Sequence, residues 1–243
     1  MKRALIVGGA NGIGLAIATE LAKREECEKV YNVDKATVPA EYHNSKFEVH
    51  SFDLTSNDYS VFDQFADCDT LMITAGFGHL SLFRDITEDT IINSFNVNTL
   101  PVLRIIKRFY PKLEAKEDFF CGVMVSIAGF MTSPFFSVYA ATKAALKVFI
   151  ESVNVELLKA GSVNQILNVS PGSIKGTSFT KGKTDLSQIE SLAKEIIENL
   201  QKKNDLFIPQ YDEVYHNVLE RYHQDFRAEG LHSYEYKVNS GRV

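Results

Sequence analysis

The chain of 243 residues contains no tryptophan, only six prolines and only three cysteines. Cys27, Cys68 and Cys121 are far apart, odd in number and without CxxC spacing. That pattern excludes a disulfide framework or a zinc site and points to a reducing, cytoplasmic location. Long hydrophobic runs are also missing. The longest, Phe119 to Met131, is about 13 residues, short of the roughly 20 a membrane-spanning helix needs. Basic charge is in deficit, with 26 Lys and Arg against 31 Asp and Glu, so no basic stripe exists to neutralise nucleic-acid phosphates. The first strand pattern begins at Ala4, which leaves no room for a signal peptide. His43, His50, His79, His216, His223 and His232 show no HxxxH spacing, and no metal is expected. Repeats, low-complexity tracts and linkers are absent, and the length suits a single domain over 1–243.

Short apolar runs alternating with helical patterns fill the chain. Strands are expected at Ala4–Val7, Val30–Val33, Phe47–Phe52, Thr70–Thr74, Gly122–Ser126, Gln165–Val169 and Leu206–Ile208, the last closed by Pro209. Helical segments are expected near 13–23, 58–66, 88–113, 137–160 and 187–203. Buried strands joined by helices imply right-handed βαβ units, hence a doubly wound α/β domain with a seven-stranded parallel sheet and helices on both faces. Gly172 to Asp185 is a long Gly-, Ser-, Thr- and Lys-rich loop, and a lid is expected over about 173–204. An additional C-terminal helix and tail occupy about 210–243. The helix, from Tyr211 to Arg227, is expected to end near Gly230 as its C-cap.

The first strand runs directly into Gly8-Gly9-Ala10-Asn11-Gly12-Ile13-Gly14, after which a helix begins. A strand, a tight glycine turn and a helix N-terminus in that order form a cradle for a pyrophosphate. The carboxylate that would grip an adenosine ribose is expected about 20 residues on, and Asp34 stands there, at the end of the second strand. Its charge would repel a 2′-phosphate, which favours NAD, although Lys35 leaves room for NADP. Asp53 either accepts from the adenine amino group or is a turn residue. Ser126 is followed thirteen residues later by Tyr139, and Tyr139 and Lys143 are one helical turn apart on one face. A tyrosine hydroxyl titrates near 10 when isolated, and a neighbouring ammonium would lower that value enough for proton transfer.

Over roughly residues 1–210 the chain resembles the short-chain dehydrogenases/reductases. The resemblance rests on the Gly8–Gly14 turn, Asp34, Asp53, Ala75-Gly76, Asn98, Ser126, Tyr139-xxx-Lys143 and Pro171-Gly172-Ser173-Ile174, in the family's order. It implies a catalytic tetrad: Tyr139 exchanges a proton with the substrate oxygen and Ser126 polarises that oxygen. Lys143 binds the nicotinamide ribose and lowers the phenol's pKa, and Asn98 holds a relay water. It further implies that Gly8, Asn11, Gly12, Ile13, Gly14, Asp34, Asp53, Leu54, Ala75, Gly76, Pro171, Gly172, Ile174 and Thr177 line the cofactor with Tyr139 and Lys143. The expected activity is NAD(P)-dependent interconversion of a secondary alcohol and a carbonyl. The alternatives are an idle dinucleotide-binding regulator or a nucleotide-sugar epimerase or dehydratase. Relatives usually pair through their two long helices, so a homodimer or homotetramer is expected, acting on a small molecule.

Departures from the family pattern are Val7 in place of a frequent threonine, Ile73-Thr74 in place of Asn-Asn, and a tail of about 34 residues after Pro209. The first two put the local bonding between strands in doubt. For the substrate, Phe130, Met131, Phe135, Phe136 and Phe179 either line an apolar pocket or belong to the core. Lys175, Lys181 and Lys183 either draw in an anionic substrate or keep a loop soluble. Tyr211, Tyr215, Leu219 and Tyr222 recur at helical spacing and read as a docking face.

Overall fold

A computed structural model describes residues 1–177, 179 and 183–243. Seven parallel strands form one sheet in the order β3-β2-β1-β4-β5-β6-β7. They are β1 (Arg3–Val7), β2 (Lys29–Asp34), β3 (Phe47–Ser51), β4 (Thr70–Ile73), β5 (Phe120–Met124), β6 (Ile166–Val169) and β7 (Leu206–Phe207). The helices joining them are α1 (Gly12–Ala22), α2 (Glu88–Asn98), α3 (Leu100–Glu114), α4 (Ser137–Lys159) and α5 (Glu190–Gln201), followed by α6 (His216–Gln224) and α7 (Phe226–Asn239). Successive strand residues point to opposite faces. Leu5 and Val7 therefore pack beneath Ile105, Phe109, Leu146 and Ile150 of α3 and α4. Ala4 and Ile6 pack beneath Ile17 of α1 and Ile196 and Leu200 of α5. A strand buried on both faces needs an unbroken apolar run, which is why Ala4–Val7 does not alternate.

The expected fold is thus the observed one, with differences at element ends. The helix expected at 58–66 is a tight 3-10 segment, Ser60–Phe65. Tyr59, Phe62 and Phe65 are all buried, and their spacing of three suits a helix of three residues per turn. The helix expected at 88–113 breaks at Thr99, whose backbone (φ −120°, ψ −64°) leaves the helical path. Pro101, lacking an N–H, sits in the first turn of the new helix, where the proton is not needed. Within the expected lid, the stretch from Glu190 on is α5, whose Leu192, Ala193, Ile196 and Ile197 are buried in the core.

Gly230 is not a C-cap. The helical turn ends at Gln224, and Asp225 caps a new helix by accepting from the N–H groups of Arg227 and Ala228. Gly230 lies inside that helix, where a methyl group would approach the Thr132 hydroxyl to 3.1 Å. It is small because α7 packs closely on the loop ahead of α4. The three thiols are buried, and burial pushes that of Cys68 up to about 12, out of the reactive range.

Candidate functional site

The C-terminal ends of β1, β2, β4, β5 and β6 converge on one edge of the sheet, where open α/β folds bind ligands. At β1, Gly8 and Gly12 adopt positive φ of 89° and 52°, a conformation costly for other residues. Side chains would also collide: a methyl on Gly8 would stand 2.5 Å from the Ala75 nitrogen, and one on Gly14 would stand 2.1 Å from the Gly8 oxygen. On the outer side of Gly12 the nearest atoms, of Thr177, are 3.8 Å away. The turn is therefore tight against β4, with no carboxylate in the first turn of α1 to repel an anion. The Gly12 N–H donates to the Thr184 hydroxyl at 3.0 Å.

The doubt raised by Val7 and Thr74 resolves here. The Thr74 hydroxyl lies 3.0 Å from both the Val7 and the Gly8 carbonyl oxygens and ties β4 to the turn. Asp34 is bound to the same turn: one carboxylate oxygen accepts from Ala10 N–H at 3.0 Å and the other from Ala36 N–H at 2.9 Å. Asp53 forms the turn that begins there. It accepts from the Thr55 N–H and hydroxyl and pairs with Lys35 at 2.8 Å, which together push its carboxyl down to about 2. The Leu54 carbonyl accepts from the Tyr59 hydroxyl at 2.6 Å.

The second half of the site assembles around α4. Tyr139 and Lys143 lie one turn apart, and Ser126 lies just past β5 with its hydroxyl accepting from Ala128 N–H. The Lys143 ammonium reaches back under the sheet and donates to the Met124 carbonyl at 2.8 Å. It stands 5.7 Å from the centre of the Tyr139 ring. Asn98 is fully buried at the break between α2 and α3, where its amide bonds the N–H and the carbonyl of Phe77 at 2.9 and 2.8 Å. Gly76 separates Asn98 from Lys143: a methyl there would stand 3.2 Å from the Asn98 oxygen and 3.4 Å from the ammonium. Thr142 joins the group by receiving a bond from Asn98 and donating to the Tyr139 carbonyl.

Burial shifts the two titrating groups in opposite directions. It pushes Tyr139 up to about 12, against the opposing pull of the Ser126 hydroxyl. The same effect brings Lys143 down to about 8. The expected lowering of the phenol by the ammonium is not found in the protein alone: burial raises it, and the Ser126 hydroxyl opposes that rise.

Aromatic rings close the mouth. Phe136 and Phe179 pack on Tyr139 with ring centres 5.3 and 5.4 Å away, and both rings press on Gly78. Phe135 instead belongs to the packing beneath α7, against Tyr234 at 4.6 Å, with a strained φ of 65°. Lys237 of α7 holds that loop by donating to the Pro134 carbonyl at 2.7 Å and the Ser133 hydroxyl at 3.1 Å. From β6, the Pro171 carbonyl accepts from Ile127 N–H at 3.1 Å. The Ile174 carbonyl accepts from Thr177. Lys175 and Lys183 are exposed, and Lys181 lies outside the described residues.

A model of the family described as "short chain dehydrogenase" matches residues 2–188. The chain belongs to the short-chain dehydrogenase family. It is 27% identical over 231 residues to retinol dehydrogenase 8 of Bos taurus, covering 89% of this chain and 73% of that protein. A short-chain dehydrogenase/reductase from Burkholderia phymatum, solved in complex with NAD, superposes with a TM-score of 0.78 at 17% identity over 94% and 95% of the two chains. An archaeal alcohol dehydrogenase from Thermococcus sibiricus, complexed with 5-hydroxy-NADP, gives 0.69 at 21% identity over 86% and 95%. The structure of this short-chain dehydrogenase brings the residues expected from sequence to one edge. Sequence reasoning missed Thr74, Thr142, Thr184 and Gly78. Only the Asn-to-Thr departure at Thr74 carried any signal.

Proposed function

We propose that the protein is an NAD-preferring oxidoreductase that interconverts a secondary alcohol and a carbonyl. The carrying observation is that Asn98, Ser126 and the Tyr139–Lys143 pair, supplied by separate elements, meet beneath an apolar mouth beside the glycine turn. That turn, with α1 and Asp34, fits a nicotinamide dinucleotide. Gly8, Gly12 and Gly14 let the pyrophosphate approach backbone N–H groups, while Asp34 retains lone pairs for ribose hydroxyls. The relatives' complexes with NAD and 5-hydroxy-NADP support this. Lys35, next to Asp34, is engaged by Asp53, and Asp34 opposes a 2′-phosphate; both favour NAD. When bound, the nicotinamide supplies or accepts the hydride.

The protein's own residues handle the oxygen. Ser126 donates a hydrogen bond to it, and Tyr139 gives or takes its proton. Lys143 supplies positive charge beneath the phenol, and Asn98 fixes the adjoining Phe77 backbone through both amide atoms. The rings of Phe136 and Phe179 pack against the phenol and give the substrate an apolar surface. An idle regulator would have no use for this group. Apolar residues exposed on α2–α4, among them Ile92, Val148, Val155 and Leu158, support pairing with a second copy.

Tyr139→Phe tests the reading. The variant is expected to lose 10²–10⁴-fold in kcat, the usual worth of a positioned acid or base, while still binding NADH, as measured by absorbance turnover and cofactor fluorescence. Activity within threefold of the parent would refute the role.

A further inference from the structure

Beyond Pro209 the chain leaves the sheet and returns to the site through an irregular turn. Gln210 takes a left-handed φ of 58°, and Tyr211–Tyr215 winds as one π-helical turn ahead of α6. Such turns are rare and concentrate at functional positions. The last residue of this one, Tyr215, does not face outward with a docking stripe. Its hydroxyl oxygen lies against Gly172, where a methyl group would stand 1.6 Å away. A side chain there would require the phenol to move. Gly172 does not have a positive φ, so its backbone does not demand glycine; the phenol does.

That phenol borders the reacting end of the site. Gly172 follows Pro171, whose carbonyl oxygen is 3.4 Å from the Ser126 hydroxyl. The Tyr215 hydroxyl has no hydrogen-bond partner among the described residues, although the ring is largely enclosed. A phenol in such surroundings stays neutral and can both donate and accept. The wall that presents it is fixed. Besides Lys237 on Pro134 and Tyr234 on Phe135, the Thr132 hydroxyl donates to the Phe226 carbonyl at 3.4 Å. Arg221 and the buried Glu229 join α6 to α7 through bonds of 2.7 and 3.2 Å.

We propose that Tyr215 is a specificity-determining residue whose hydroxyl binds a second oxygen function, hydroxyl or carbonyl, on an otherwise apolar alcohol or ketone. The inference rests on Tyr139 marking the place of reaction and extends that reading to what the substrate carries. The apolar body lies against Phe136 and Phe179, and the second oxygen meets Tyr215. A substrate without that oxygen covers the phenol and leaves it unpaired, which is how a hydrogen-bonding site rejects a deoxy analogue.

The test uses the full-length protein, NADH and two ketones that differ by one hydroxyl, 4-(4-hydroxyphenyl)butan-2-one and 4-phenylbutan-2-one. The parent is expected to favour the hydroxylated ketone about tenfold in kcat/KM, through KM and not kcat. In Tyr215→Phe that ratio falls to about one. Gly172→Ala, which drives the phenol out of its place from the other side, is expected to lower the ratio in the same way. A ratio near one in the parent, or a ratio unchanged in Tyr215→Phe, overturns the proposal while leaving the oxidoreductase reading intact. Should the NADH complex bind the ketones without turnover, the oxidoreductase reading falls, and the ratio of dissociation constants decides the role of Tyr215 instead. Failure of the hydroxylated ketone to bind overturns the proposed substrate class.

Discussion

Lys143 shows how much a single side chain can cost and why it is kept. Its ammonium is buried and has one carbonyl, that of Met124, as its hydrogen-bond partner. Burial lowers its pKa from 10.5 to about 8. An unfolded chain restores the ordinary value, so between pH 8 and 10.5 the unfolded state holds more protons than the folded one. Stability owed to this group therefore rises with pH across that window. Below pH 8 the charge is held in the interior at a cost on the order of 3 kcal/mol. Lys143→Met is accordingly expected to be more stable than the parent at pH 7. The gap should narrow between pH 8 and 10.5 in urea titrations at successive pH values; a gap that does not change with pH would contradict this account. A charge retained against its own stability cost fits a residue kept for chemistry, and the variant that gains stability is expected to lose activity.

At the scale of elements, α7 is the piece whose role the sequence least foretold. Its N-terminus is fixed by one carboxylate, that of Asp225, which accepts from Arg227 and Ala228 at 2.9 and 3.1 Å. Loss of such a cap costs about 1 kcal/mol. Asp225→Ala should lower the unfolding free energy by that amount, read in urea as an earlier midpoint with an unchanged slope. It should also loosen Ser133–Phe136, which α7 holds through Lys237 and Tyr234, read as faster amide exchange in that loop. Unaltered exchange there would mean that the strained Phe135 is held from the sheet side alone, where its carbonyl accepts from Ser81 N–H at 2.9 Å. The break between α2 and α3 is a similar case. One helix was expected over 88–113, and both the break at Thr99 and its consequence, an Asn98 aimed at the Phe77 backbone beside Lys143, required the fold.

For the whole molecule, the exposed apolar residues of α4 give the clearest expectation. Val148, Val155 and Leu158 are 58%, 65% and 76% exposed, an arrangement that buries well against a second copy. Val155→Glu with Leu158→Glu is expected to reduce the sedimenting mass from a dimer or tetramer to a monomer, and a parent that already sediments as a monomer would rule this interface out. The sequence alone determined the sheet, because a strand buried on both faces must be continuously apolar and a crossover must be helical. It also determined the turn at Gly8–Gly14 and the pairing of Tyr139 with Lys143, since both are local geometry. Tertiary structure decided the rest. Whether Phe135 or Phe136 faces the site, what Thr74 bonds, why Gly172 has no side chain and which way Tyr215 points all depend on chain segments tens of residues apart. Periodicity carries no information about such contacts. Burial of the Tyr139 phenol and the Lys143 ammonium is likewise a property of everything packed around them, so their shifted pKa values could be read only from the folded molecule.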